Sequence, residues 1–253
     1  MKGELKGNEV LKHIRCRQGD VAPYVITPGD PGRVKRIAER MDKAEFIAEN
    51  REYTVYTGSY KGAPITVCSS GIGGPAASIA FEELIKLGAK VFIRVGSAGG
   101  RQSDIAIGTP VVITASFRGE GTSKAYLPPE FPAVADIDVS NALISSLKEA
   151  QIPFRSGVGF CRDAYYEQDQ ALNVILTEAG VVAAEQEAAI LFIVGTKRRV
   201  KTGAIVSTDS NILFKDQPTI DEKERLYRTG EAKVIQAALD AVVKLYGQGA
   251  HEF

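Results

Sequence analysis

KVFIRVGSAGG, residues 90–100, is the stretch on which the fold turns. Its first half is an apolar, β-branched run of the kind that fills a central strand covered on both faces. It then gives way to small residues. Arg94 interrupts the run, and an arginine is rarely buried there unless something pairs with it. Immediately upstream, residues 75–87 carry apolar side chains at helical spacing, and Gly88 stands where a helix C-terminus takes a left-handed residue. Helix, short turn and buried strand together make a unit of an α/β fold.

The same alternation runs outward in both directions. Residues 22–27 read as a strand ending in the turn PGDPGR, residues 28–33, and a helix over 34–41 follows with Pro31 near its start. Residues 52–60 and 63–70 read as two strands joined by a Lys61-Gly62 turn. Strands are predicted at 110–117, 154–161 and 200–206 and a buried helix at 187–197, with Asp138 capping another helix that runs to Ala150. Residues 220–246 form a long amphipathic helix. With no low-complexity tract, repeat or linker, the expectation is one α/β domain over 1–253, a central mixed sheet flanked by helices.

The bulk numbers narrow the function classes. Of 253 residues, 31 are Lys or Arg and 31 are Asp or Glu. This zero net charge argues against a nucleic-acid coat or a membrane-surface protein, both of which need a basic excess. Cys16, Cys68 and Cys161 are odd in number and scattered, so neither a disulfide framework nor a metal site is suggested. The polar N-terminal stretch lacks a signal-peptide core, and no segment has the apolar length of a membrane span. A cytoplasmic location is the expectation.

In α/β folds ligands gather at the carboxyl ends of strands, which singles out four places. At PGDPGR, Gly29 and Arg33 offer backbone N–H groups, a helix N-terminus and a guanidinium fork, a combination suited to an oxyanion. Alone, an ordinary Pro/Gly turn with a solvated arginine is the commoner case. At RVGSAGG, Arg94 and Ser97 converge with small residues on one strand end, which suits an anion better than a plain buried ion pair. Glu185-Gln186-Glu187 offers carboxylates for vicinal hydroxyls of a sugar, or simply an acidic helix start. Asp209 follows a strand and is either a general acid or a turn cap. Taken singly, His13 reads as structural and Arg51 as a solvated surface residue.

In chain order the segments PGDPGRV, NREY, YTGSYKG, SSGIGGPAASIAFEEL, IRVGSAG, FPAVADID and EQEAA cover nearly the whole sequence and resemble the hexameric nucleoside phosphorylases, both purine and uridine enzymes. The resemblance implies roles. Gly29, Arg33, Arg94 and Ser97 match phosphate-binding positions, and Arg51 matches an arginine lent by a neighbouring subunit. His13 matches a histidine that touches the ribose 5′-hydroxyl across the interface. Glu187 matches the glutamate that holds the ribose hydroxyls, Tyr165 the ring beside base or sugar, and Asp209 the acid that protonates a purine. Arg225 or the nearby Arg228 stands where an arginine supports that acid. Two departures are plain: Gln186 replaces a methionine that packs on the ribose, and Ala98 stands where cysteine or threonine is frequent. Residues 165–172, YYEQDQAL, lack the Gln-x-Arg with which uridine phosphorylases read uracil. The implied activity is therefore purine nucleoside phosphorolysis. Uridine phosphorylase is the alternative; methylthioadenosine phosphorolysis, a water-using nucleosidase and a non-catalytic nucleoside-binding protein stand behind it. Inorganic phosphate is the implied co-substrate, with no metal or organic cofactor, no nucleic acid and no membrane partner. A homohexamer with active sites shared between subunits is the implied assembly.

Overall fold

The computed structural model describes residues 9–216 and 218–252; the first eight residues of the polar N-terminal stretch and both ends of the 1–253 domain expectation lie outside the described residues. The chain order is β1 (Tyr24–Thr27), α1 (Pro31–Ala38), β2 (Lys43–Asn50), β3 (Tyr53–Tyr60), β4 (Ala63–Cys68), α2 (Gly74–Lys86), β5 (Val91–Gly100) and β6 (Pro110–Gly119). A short 3₁₀ turn (Thr122–Ala125) precedes β7 (Ala133–Val134), α3 (Ile137–Glu149), β8 (Arg155–Arg162), α4 (Gln170–Glu178), β9 (Ala183–Glu185), α5 (Ala188–Arg198), β10 (Lys201–Asn211) and α6 (Ile220–Gly247).

β5 is the axis of the sheet. It runs parallel to β1 from Tyr24↔Val91 to Thr27↔Arg94 and parallel to β10 from Lys201↔Val91 to Asn211↔Gly100. Its last two residues pair antiparallel with β9, on the edge that β1 has left. β10 also pairs with β6, β6 with β8 and β8 with β9, so these strands and β5 close into a ring. The remaining wing is β1–β4–β3–β2.

Side chains alternate across β5 as a strand requires. Phe92 packs with α2 and α5 residues such as Phe81, Leu84, Ile190 and Phe192. Val91, Ile93 and Val95 pack on the other face with Val34 of α1, Leu143 of α3 and Leu245 of α6. β10 repeats the pattern, with Ala204 and Val206 on the first side and Ile205 on the second. With both faces of β5 and β10 covered, ligand-binding groups on them emerge at the strand ends.

The sequence-derived elements reappear within a few residues, with several differences, among them the unanticipated two-residue β7. The N-cap of α3 is Asp136, not Asp138: its carboxylate accepts from the N–H groups of Asp138 and Val139 at 2.9 and 3.2 Å. β2 has a largely exposed, charged face and carries no core alternation to read. α4 and the three-residue β9 are too short to show a period. β5 and β10 both run several residues beyond their apolar stretches, into Ser-, Thr- and Gly-rich sequence. Their paired backbones, not apolar side chains, hold those extensions as strand.

Candidate active site

The ends of β1, β5, β8, β9 and β10 open on one cavity of about 1220 Å³. Gly29, Arg33, Arg94, Ser97, Tyr165, Glu185, Gln186, Glu187 and Asp209 all line it. A smaller cleft of about 390 Å³, bordered by Lys90 and Lys201 at the opposite strand ends, holds none of them.

Arg33 enters the cavity from the first turn of α1. Asp30 caps that helix, accepting from Gly32 N–H at 2.8 Å, and Pro31 occupies the first turn without losing a hydrogen bond. The guanidinium is buried and fixed from three sides. Nε donates to Glu231 at 2.7 Å, Nη1 to the Val95 carbonyl at 3.0 Å, and Nη2 to the Tyr227 hydroxyl. Glu231 and Tyr227 both come from α6. Glu231 also accepts from Arg36, from Arg228 at 2.9 Å and from the Tyr227 hydroxyl at 3.1 Å. Burial alone would raise the Glu231 pKa, but the hydrogen bonds and charges of Arg36 and Arg33 overcome it and hold the carboxyl at about 2.

Arg94 is 3% exposed and lies between two carboxylates. Nε donates to Glu185 at 3.0 Å, and Nη2 pairs with Glu187. Nη1 is buried with no partner among the described residues. An unpaired buried guanidinium nitrogen is costly, and an oxyanion would complete it. Glu185 is already committed: besides Arg94 it accepts from the N–H groups of Glu187 and Ala188 at the start of α5. It is an anchor for Arg94 and the start of α5, while Glu187 lines the cavity beside it. Glu187 accepts from the Gly73 N–H at 2.6 Å, and Gly73 reaches it from a left-handed conformation, φ 85°. Burial, reinforced by the Glu185 charge, raises the Glu187 pKa against the opposing pull of Arg94. Gly96 leaves room for this trio, since a Cβ there would lie 2.7 Å from Arg94 Nη2 and force it to shift.

On β10 the register with β5 slips between Thr208 and Ser210, so Asp209 is the extra residue of a bulge, without a partner in the ladder. Its Oδ1 accepts from the Ser210 hydroxyl at 2.7 Å. The Gln186 amide donates to the Asp163 carbonyl at 2.8 Å, tying the β9–α5 turn to the segment after β8. Tyr165 and Tyr166 lie edge to face, 61% and 94% exposed, on the cavity rim.

Three expected residues do not line this cavity. The His13 ring nitrogen Nδ1 lies 2.6 Å from Glu83, and Asn50, adjacent to Arg51, donates its amide to the His13 carbonyl at 2.7 Å. His13 and the exposed Arg51 therefore share one patch of surface. Arg225 is exposed on α6. Arg228 is engaged with Glu224 at 2.6 Å and Glu231, and so supports the Arg33 network rather than Asp209. Sequence reasoning missed Glu231, Tyr227, Arg101 and Arg162. Arg101 alone carried a signal, as a cation directly after the glycine run.

The sequence pattern of the Phosphorylase superfamily matches residues 23–244. The chain is 40% identical over 247 residues to a uridine phosphorylase of Treponema pallidum, covering 93% of this chain and 94% of that protein. It is 37% identical to a guanosine phosphorylase of Halorubrum lacusprofundi, covering 92% and 98%. The crystal structure of a purine nucleoside phosphorylase from Toxoplasma gondii, in complex with immucillin-H, superposes with a TM-score of 0.87 at 32% identity, covering 96% of this chain and 99% of that one.

Proposed function

The chain belongs to the Phosphorylase superfamily and is a nucleoside phosphorylase, the premise from which we propose that its substrate is a purine ribo- or deoxyribonucleoside. The observation that carries this reading is Asp209, bulged from β10 onto the same cavity as Arg33, Arg94 and Glu187.

Arg33, the unpartnered Nη1 of Arg94, Ser97 and the backbone near Gly29 hold phosphate beneath the sugar. Glu187 holds the ribose hydroxyls. A phosphate oxygen bonds to C1′ as the C1′–N bond breaks, and the electron pair leaves with the base. The anionic phosphate stabilises the cationic sugar of the transition state because it is already in line. Asp209, at the base end of the cavity, is the group that delivers a proton to N7 of the departing purine. Gln186 orders the turn that carries Glu187. His13 and Arg51 lie together outside the lining of their own cavity, which supports an oligomer, a homohexamer by family resemblance, in which each subunit lends both to a neighbour.

A second reading, uridine phosphorolysis, is favoured by the identity with the Treponema protein. Base release from inosine, guanosine, adenosine, uridine, thymidine and methylthioadenosine, with and without phosphate, tests both. Phosphate-dependent release from inosine or guanosine above uridine is expected. Uridine leading would overturn the purine assignment, and phosphate-independent release would overturn phosphorolysis.

A further inference from the structure

At the end of β5 away from Arg94 the cavity wall carries a second pair of cations, Arg101 and Arg162. Arg101 lies seven residues beyond Arg94, roughly 20 Å along an extended strand. Ser97 to Gly100 form the floor between them, space enough for a sugar and a base. Arg162 ends β8. Arg101 is 2% exposed, and its Nε has no hydrogen-bond partner among the described residues; the same holds for Nη1 of Arg162. Both planes are held in place. Arg101 lies over the Phe160 ring and donates through Nη2 to the backbone and side-chain oxygens of Asn173, while Arg162 lies over the Tyr165 ring.

Among the described residues no carboxylate forms an ion pair with either. Burial lowers the pKa of each, and the Arg162 charge lowers that of Arg101 further. Two neighbouring arginines that have no ion pair among the described residues, fixed by stacking and each short of one acceptor there, are a donor array suited to oxygens. Guanidinium groups can only donate. They match carbonyl oxygens on a base edge and oppose exocyclic amino groups.

We propose that Arg101 and Arg162 read the carbonyl oxygen at purine C6 or pyrimidine C4, so that the enzyme takes nucleosides whose base carries an oxygen there (hypoxanthine, guanine, xanthine, uracil) over those whose base carries an amino group there (adenine, cytosine). This rests on the phosphorolysis reading and is independent of the choice between purine and pyrimidine. The same donors act in the reaction: the electron pair released from the C1′–N bond spreads onto those oxygens, and two fixed cations meet it there.

The test compares kcat/KM for inosine, xanthosine and uridine with that for adenosine and cytidine at saturating phosphate. Wild type, Arg101→Met, Arg162→Met and the lysine variants at both positions are assayed as intact oligomers. Binding of free hypoxanthine and adenine is measured by calorimetry in parallel. Wild type is expected to favour oxo-bases by roughly 100-fold, and each methionine variant to cut that ratio roughly 10- to 100-fold, with partial return in the lysine variants. Arg162→Met keeps the test open should the buried Arg101 variant not fold. Wild-type turnover of adenosine and cytidine equal to inosine and uridine overturns the proposal. So does a loss shared equally by both base classes, or one confined to the KM for phosphate. If no nucleoside turns over with phosphate, phosphorolysis fails, and the preference between free hypoxanthine and adenine then decides the arginine pair on its own.

Discussion

Replacing Glu231 by glutamine removes one negative charge from the centre of three arginines while keeping the shape of the side chain. In the folded protein that carboxyl sits at about 2 against a usual 4.5. By linkage the gap corresponds to about 3 kcal/mol of stability. The folded value is the lower one, so this increment is complete above about pH 4.5 and disappears as pH falls toward 2. Glu231→Gln is therefore expected to lower the urea-unfolding free energy at pH 7 by about 3 kcal/mol. In a chain of this size that is about 6–12 °C of melting temperature. The same change loosens Arg33, whose Nε rests on Glu231 at 2.7 Å. The KM for phosphate should rise roughly tenfold while kcat changes less, as for a group that positions a binding residue. Melting curves from pH 7 to pH 2 and phosphate titrations check both parts. Unchanged stability and phosphate KM at pH 7 would refute the reasoning. A difference between wild type and variant that persists undiminished at pH 2 would refute its electrostatic origin.

Asp209→Asn should lower kcat for purine nucleosides by roughly 100-fold or more and leave the KM for phosphate near its wild-type value; near-normal inosine turnover removes its role as an acid. Gly96→Ala places a methyl 2.7 Å from Arg94 Nη2, so phosphate KM should rise roughly tenfold; phosphate titration of a normally folded variant with wild-type KM would contradict the crowding. If subunits lend Arg51 to one another, co-expressed Arg51→Ala and Asp209→Asn chains should form mixed oligomers more active than either variant alone, and activity no greater than the two parents would count against shared sites.

What could be read from the residues was whatever has a local signature. Arg94 stands out because a cation inside an apolar run demands a partner, while Glu185 and Glu187 read from the sequence as sugar ligands. The structure divides that pair: Glu185 anchors the helix start and Arg94, and Glu187 meets the cavity. Asp136 and Asp138 stand two positions apart ahead of the same helix, and only the geometry of the N–H groups decides which caps it. Glu231 was illegible for another reason. On α6 it looks like one more charge on an amphipathic helix, and its meaning depends on Arg33, 198 positions away. Arg162 is likewise ordinary until β8 and β5 bring it beside Arg101. β2, with its exposed charged face, has no buried period to betray it.

The bulge at Asp209 has a consequence for how chemistry can change on this scaffold. Because the slip is confined to one residue, Thr208 still faces Ala98 before it and Ser210 faces Gly99 after it. The carboxylate occupies an extra position in the reading frame of the strand, where its presence or identity leaves every neighbouring pair in phase. A lineage could exchange, gain or delete the group at that position without re-registering the sheet, while the anion-holding residues on β5 stay where they are.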